Sequence, residues 1–241
     1  MSTVETILAA ASAGDSERVG RLLRGDPALA TASSMLGVQP IHAAHFAGHR
    51  RVVDLLLANG VSMDAFLAAD LGMLDVVEAA LLRDPQFALA FSTAGFTALH
   101  RSCYWGQAAV ARLLLEHGAD ASAVTRDGFL QIHPLGCAVA TPGAGCPSDR
   151  EEVVLELVRM LLDHGADVNG RRRDGLTALH SAGYRGLLQV IDLLLERGAD
   201  ANLAAFEGAG PHSGQRPDET ALAQGQTEAA RRIAAKRKVR S

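Results

Sequence analysis

A short segment that ends in glycine recurs four times and constrains the fold more than any other feature of the chain. Its copies share two leucines followed by two variable residues, and they end at Gly60, Gly118, Gly165 and Gly198. The last two glycines are 33 residues apart, and the spacings before them are 47 and 58 residues. An internal period of this size is typical of a protein built from stacked repeats, and the longest spacing leaves room for two shortened units.

Each of these glycines follows an apolar pattern of helical period. A helix often ends on a residue in the left-handed conformation, which glycine adopts without the steric cost that a Cβ atom brings. The sequence therefore predicts that Gly118, Gly165 and Gly198 end helices in this way.

A second motif recurs before the helical patterns. Gly95-Phe96-Thr97-Ala98-Leu99-His100 and Gly175-Leu176-Thr177-Ala178-Leu179-His180 are copies, and Gly37-Val38-Gln39-Pro40-Ile41-His42 is a variant. A threonine at the start of a helix accepts hydrogen bonds from free N–H groups, and proline fits the first helical position because it lacks a donor. The motif resembles the Thr-Pro-Leu-His signature of the ankyrin-repeat family, whose unit is a turn plus two antiparallel helices of about 33 residues.

The resemblance implies an all-α solenoid of about seven units, the first and last being degenerate caps. The unit at 65–90 has lost the signature, since Phe66-Leu67-Ala68-Ala69 stands in its place. We expect one continuous solenoid over 1–235, with an insertion at about 140–150, and a basic C-terminal tail at 236–241. The predicted units cover 5–33, 34–64, 65–90, 91–123, 124–170, 171–203 and 204–235.

Composition and charge narrow the class of partner. The formal net charge is −4, and six of the 23 basic residues fall in the last 11 positions, so the body of the chain is acidic. This balance makes nucleic acid an unlikely partner of the body and gives no attraction to an anionic membrane. The start lacks the basic and apolar regions of a signal peptide, and no apolar run is long enough to span a membrane. We expect a cytoplasmic protein that needs no cofactor.

The histidines and cysteines admit a structural and a chemical interpretation. The resemblance implies that His42, His100 and His180 are structural bridges, whose rings hydrogen-bond to the backbone of adjoining turns. Residues that recur with the repeat in this way are poor candidates for catalysis. Cys137 and Cys146 flank the insertion close to His133, and such residues suit zinc or redox chemistry. Their spacing fits no paired zinc motif, and Cys137 falls where the repeat needs a small buried residue. We predict reduced, metal-free cysteines and keep a metal- or redox-responsive adaptor as an alternative.

Motifs for catalysis are absent: the chain has no nucleophile elbow, no His-Glu-x-x-His and no phosphate-binding loop. Acid–base chemistry could still be assembled across repeats from Asp70, Tyr104 and Trp105. An enzyme or small-molecule site in the groove therefore stays open as a second alternative.

The aromatic residues point to a binding surface. In the family, the two positions before the glycine that ends the first helix face the concave groove and vary freely. The residues at those positions include Phe46, Asp70, Leu71, Tyr104, Trp105, Tyr184 and Arg185. Phe96 and Phe129 occupy the variable turn position, while Arg101, Arg171 and Arg173 are expected beside the groove. Tyrosine and tryptophan recur as hot spots of protein interfaces, and arginine pairs with carboxylates.

These residues together predict a non-catalytic protein-interaction module. We expect it to be a monomer that binds a protein or peptide in its concave groove, and the arginines suit an acidic partner. Tyr104 and Trp105 are predicted to be partly exposed at the centre of that site.

Overall fold

The computed structural model describes residues 3–35, 37–140, 149–208 and 210–237, and these form seven antiparallel pairs of α-helices. The first helices of the pairs are α1 (Thr3–Ser12), α3 (Pro40–Phe46), α5 (Ala65–Leu71), α7 (Ala98–Trp105), α9 (Pro134–Val139), α11 (Ala178–Arg185) and α13 (Pro217–Ala223). The second helices are α2 (Ser16–Gly25), α4 (Arg50–Ala58), α6 (Leu74–Arg83), α8 (Ala108–Glu116), α10 (Glu151–Asp163), α12 (Leu188–Glu196) and α14 (Thr227–Ala234). The predicted all-α architecture of about seven units is confirmed.

Short 3-10 helices at Pro27–Ala30, Pro85–Leu89 and Gly210–His212 complete the regular structure of the described ranges. Over the same ranges the only β-type pairing is an isolated bridge between Phe91 and Thr97. None of the described helices is long and apolar enough to cross a membrane. The predicted insertion and most of the basic tail lie outside the described residues, at 141–148 and 238–241.

The helices begin and end where the repeated motifs place them. Thr97 caps α7, and its hydroxyl accepts a hydrogen bond from the backbone N–H of His100. Gly118, Gly165 and Gly198 have φ angles of 83°, 83° and 91°, so the predicted left-handed helix ends are confirmed. A side chain at these positions would strain the backbone, which is why glycine recurs there.

The core consists of two apolar clusters. One extends from Ile7 to Leu71 and the other from Ala68 to Ile233, so α5 contributes to both. Met63 and Met73 pack against both clusters and join them. Stacking of neighbouring units thus buries apolar surface that no single helix pair could bury alone.

The unit that lost the signature has a short connection before its first helix. Only residues 59–64 join α4 to α5, whereas 117–133 join α8 to α9. Asp64 replaces the missing motif as helix cap, since its Oδ1 accepts the backbone N–H of Leu67 at 2.7 Å. This shortened connection changes the surroundings of the groove residues in α3, α5 and α7.

Candidate functional site

Trp105, which was predicted to be partly exposed, is buried. Its side chain is 4% exposed and stacks on the ring of His42, with the centroids 4.1 Å apart and the planes 8° from parallel. A second ring, that of Phe46, stacks on it at 5.3 Å. The prediction is wrong because two flat rings of α3 lie within reach of the indole, and packing against them removes a large apolar surface from water.

Asp70 and Leu71 are also buried, at 1% and 4% exposure, which contradicts their predicted place on the accessible wall of the groove. The Asp70 carboxylate accepts a hydrogen bond from Arg101 Nε at 2.8 Å and a second one from the other end of that guanidinium. Arg101, predicted to contact a partner, is thereby held against α5. A carboxylate in this position is buried at an acceptable cost only because it is paired.

His42 completes this polar cluster. Its Nδ1 accepts the backbone N–H of Gln39 at 3.0 Å, so the proton sits on Nε2, which donates to Asp70 Oδ2 at 3.1 Å. The short connection 59–64 leaves no long turn beside His42, and the carboxylate serves as the acceptor instead. His42 is structural as predicted, but the predicted backbone acceptor is wrong for this histidine, since its partner is the side chain of Asp70.

The other two signature histidines bridge backbone groups as predicted. His100 Nδ1 accepts the N–H of Thr97, and Nε2 lies 3.1 Å from the carbonyl oxygens of Ala123 and Ile132. His180 makes the equivalent contact with the carbonyl of Gln215 at 3.2 Å. Burial disfavours the charged imidazolium and lowers the pKa of both rings to about 4. Both histidines are therefore neutral structural groups at pH 7.

The cysteines that the structure describes are packing residues. Cys103 and Cys137 are buried free thiols. Burial raises the pKa of both thiols, that of Cys137 to about 12, and so disfavours the thiolate that zinc binding and redox exchange require. Within the described ranges no three His, Cys, Asp or Glu side chains cluster as a metal site. Cys146 lies outside the described residues.

The remaining groove residues divide by exposure. Phe46, Phe96 and Tyr104 are half-buried, whereas Tyr184 is 45% exposed. Tyr184 and Arg185 border a pocket of about 280 Å³. The Arg185 guanidinium donates to the carbonyl of Val139 at 2.9 Å, and its partial burial lowers the pKa of the side chain. Among the residues predicted on the helical wall of the groove, Tyr184 is thus the most exposed.

The most exposed aromatic side chains lie on two of three neighbouring long loops, which we call fingers. Finger A joins α8 to α9 (117–133), finger B joins α10 to α11 (164–177), and finger C joins α12 to α13 (197–216). Phe129 of finger A is 83% exposed and its neighbour Leu130 is 42% exposed, while Phe206 of finger C is 48% exposed. Sequence reasoning selected Phe129 but missed Leu130 and Phe206.

Hydrogen bonds place finger B between the other two. The backbone N–H of Arg173 donates to the carbonyl of Leu130 at 3.0 Å, and the N–H of Phe206 donates to the carbonyl of Asp174 at 2.9 Å. The predicted residues Phe129, Arg171 and Arg173 are thus brought to one surface. We call the tips of the three fingers together the finger surface; it consists of residues 124–131, 171–174 and 203–208.

The turn that precedes α9 in finger A is longer than the turns that carry the signature motif. Thr97, which precedes α7, comes two residues after Gly95, whereas His133, which precedes α9, comes five residues after Gly128. The three additional residues include Leu130 and Gln131, and this excess can be counted in the sequence. The longer turn is what projects Phe129 and Leu130 into solvent.

With this geometry established, comparison with known proteins assigns the class and the family. The class is a helical-repeat protein, defined by stacked helix pairs and projecting loops. The family model of ankyrin repeats matches in three copies over residues 6–125 and 150–205, which is more than half of the chain. The chain therefore belongs to the ankyrin-repeat family, whose members are generally protein-interaction modules.

One curated relative matches over a short stretch. BCL-6 corepressor-like protein 1 of Homo sapiens is 39% identical over 66 residues, which is 27% of this chain and 4% of the relative. Because the match spans so little of that protein, it supports the repeat assignment and carries no role over to this chain.

Proposed function

We propose that the chain is a non-catalytic protein-interaction module that binds its partner through the finger surface and the adjoining C-terminal half of the concave face. The observation that carries this proposal is the exposure of Phe129, Leu130 and Phe206 on one surface of a protein that buries its single tryptophan. A contiguous apolar patch in water is costly to solubility and is typical of a surface that a partner covers.

The concave face extends the proposed site. Tyr184 and Arg185 border its pocket, and aromatic and arginine side chains are the residue types enriched among interface hot spots. Phe96 and Tyr104 are half-buried and belong to the unit before finger A, so we assign them a supporting place at the edge of the interface. Phe46 stacks on Trp105 and is left out of the proposed contact set. Trp105, Asp70 and Leu71 are removed from the proposed contact set because they are buried.

The two alternatives lose the residues on which they depended. An enzyme site around Asp70, Tyr104 and Trp105 needs an accessible carboxylate, and the Asp70 oxygens are buried and paired with Arg101 and His42. An adaptor that binds metal through Cys137 needs a thiolate that burial disfavours. Neutral, packed thiols suit a reducing compartment such as the cytoplasm. We therefore propose that the protein is cytoplasmic, and we also keep the proposal that it is a monomer.

A peptide selection tests the proposal. The full chain is used to select binders from a displayed library of short random peptides, and the enriched peptides are then titrated against variants. Phe129→Ala combined with Phe206→Ala should weaken binding by about tenfold or more, because truncating a hot spot costs about 2 kcal/mol. The matched control is Leu82→Ala on α6, since Leu82 is 76% exposed and lies on a second helix, away from the fingers.

Selected peptides that bind the double variant as tightly as the unmodified chain would contradict the finger surface as the site. The same would follow if Leu82→Ala weakened binding equally, because the loss would then be unspecific. Circular dichroism melts of both variants confirm that the fold is intact before affinities are compared.

A further inference from the structure

An open pocket, which we call the trough, is lined by residues of all three fingers. Phe129 and Leu130 line one side, Phe206 lines the other, and Arg173 lies between them. The open volume of the trough is about 340 Å³, which lies within the range of pockets that bind small ligands. Finger B lies between the other two because its backbone is hydrogen-bonded to both neighbours.

The apolar side of the trough is held in place before any partner arrives. Oδ1 of Asp127 accepts the backbone N–H groups of Phe129 and Leu130, each at 3.0 Å. Gln131 has a φ of 46°, a left-handed backbone conformation that residues other than glycine seldom adopt. Such strain is typical of sites where geometry serves recognition. Binding to a turn that is already ordered costs little further entropy.

Of the four arginines of the finger surface, Arg172 is paired with Asp174, whereas Arg126, Arg171 and Arg173 form no ion pair with a carboxylate of the described residues. The guanidinium of Arg126 lies 3.8 Å above the ring of Phe91, and that of Arg171 lies 4.3 Å above the ring of Phe206. Arg173 is exposed and donates to the carbonyl of Gly128. Each guanidinium has five N–H donors, so donors remain for a ligand.

The carboxylates of the same surface are already engaged. Asp127 accepts backbone N–H groups of its own turn, and Asp174 is paired with Arg172. Glu207 accepts the hydroxyl of Ser213 at 3.3 Å. The surface therefore combines apolar side chains with three arginines that form no ion pair, although the body of the chain is acidic.

We infer that the trough binds an acidic segment of a partner protein, with an apolar side chain held between Phe129 and Phe206 and a neighbouring carboxylate paired with Arg173. This inference rests on the proposed function and names the chemistry of the partner. A carboxylate suits an arginine in a planar, two-point contact, and the apolar side chain suits the two phenyl rings.

Nucleic acid fits this surface less well. Phosphate backbones bring repeated charge and call for an extended row of cations. Here Asp127, Asp174 and Glu207 alternate with the arginines, and the three carboxylates would repel a polyanion. A peptide that carries one or two carboxylates can meet Arg173 without approaching all of them.

The experiment uses the peptides enriched from the random library on the full chain. The strongest binder is synthesised in three forms: as selected, with its Asp and Glu changed to Asn and Gln, and with its largest apolar residue changed to Ala. Each form is titrated against the unmodified chain and against Arg173→Gln. Arg112→Gln is the matched control, because Arg112 is a half-exposed arginine on α8, paired with Glu156 at 2.8 Å.

We expect enriched peptides in which Asp or Glu adjoins a large apolar residue. Arg173→Gln should weaken the acidic form about tenfold and leave the amide form unchanged, while Arg112→Gln should change neither. Added salt should weaken the acidic form more than the amide form.

Three results would overturn the inference: enriched peptides without acidic residues, equal affinity of the acidic and amide forms, or tighter binding of a single-stranded oligothymidylate than of any selected peptide. If such peptides still depend on Phe129 and Phe206, the proposed function stands and only the acidic chemistry fails. If the library yields no binder at all, both the inference and the proposed function fail.

Discussion

Replacing Trp105 with alanine should destabilise the protein strongly, because the indole is part of the core. The side chain is 4% exposed and stacks on His42 and Phe46. A buried tryptophan removes about 200 Å² from water, and at about 25 cal/mol per Å² this corresponds to about 5 kcal/mol. Partial collapse of the cavity reduces the loss, so we expect the free energy of unfolding to fall by about 3–5 kcal/mol.

The assay is urea unfolding followed by far-ultraviolet circular dichroism, which does not depend on the tryptophan being present. Leu82→Ala is the control, and it should change the free energy of unfolding by no more than about 0.5 kcal/mol because Leu82 is 76% exposed. A loss below about 1 kcal/mol for Trp105→Ala would refute the packing described for the ring.

A double-mutant cycle isolates the stacking contribution. Phe46→Leu alone, Trp105→Leu alone and the pair together should reveal a coupling of about 0.5–1.5 kcal/mol beyond simple area burial. Additive losses would show that the two rings do not interact.

Other consequences of the structure can be measured in the same way. Gly118→Ala should destabilise the protein by about 1 kcal/mol, because φ is 83° and any residue with a Cβ atom is strained there. Gly25→Ala in α2 is the control and should be neutral or stabilising, since Gly25 has no positive φ and no atom lies near the position of its missing Cβ. Urea midpoints of the two variants measure the difference. Because burial lowers the folded pKa of His100 and of His180 to about 4, below the ordinary value of 6.5 in the unfolded chain, their contribution to stability is complete above pH 6.5. It is lost as the pH falls towards 4. Urea midpoints that are unchanged between pH 7 and pH 4.5, or that rise on acidification, would contradict this. Cys137 should react with a thiol reagent only at the rate of unfolding, because it is buried and its pKa is raised to about 12; rapid labelling of the native chain at Cys137 would show an accessible thiol.

The regular part of the fold follows from local chemistry and could be predicted. Thr97 and Thr177 begin helices because their side chains satisfy free N–H groups, and Gly165 and Gly198 end helices because they tolerate a positive φ. These preferences act within a few residues, so a repeated motif is enough to locate them. The number of units and the all-α class depend on such positions alone.

The exposure of the groove residues could not be predicted, because it depends on contacts between units. Periodicity places Trp105 on the face that α7 presents to the groove, and it does not state what lies opposite. The sequence did reveal that the unit at 65–90 had lost its signature. It did not reveal that His42 would then pair with Asp70 and offer its ring face to Trp105.

The finger surface was partly within reach of the sequence. Phe129 was selected from its turn position, and the additional residues before Pro134 could have been counted against Gly95 and Thr97. Phe206 gave no such signal, because it lies in a loop without a repeated motif. Its place beside Arg171 follows from hydrogen bonds between fingers, which are long-range contacts.

The footprint of a selected peptide on the full chain tests the central claim most directly. Backbone amide hydrogen exchange, measured with and without the strongest selected peptide, should show slower exchange in 124–131, 171–174 and 203–208. A smaller effect is expected at Tyr184 and Arg185 on the adjoining concave face. Slower exchange confined to the second helices of the repeats, or to α3 and α5, would contradict the finger surface as the binding site.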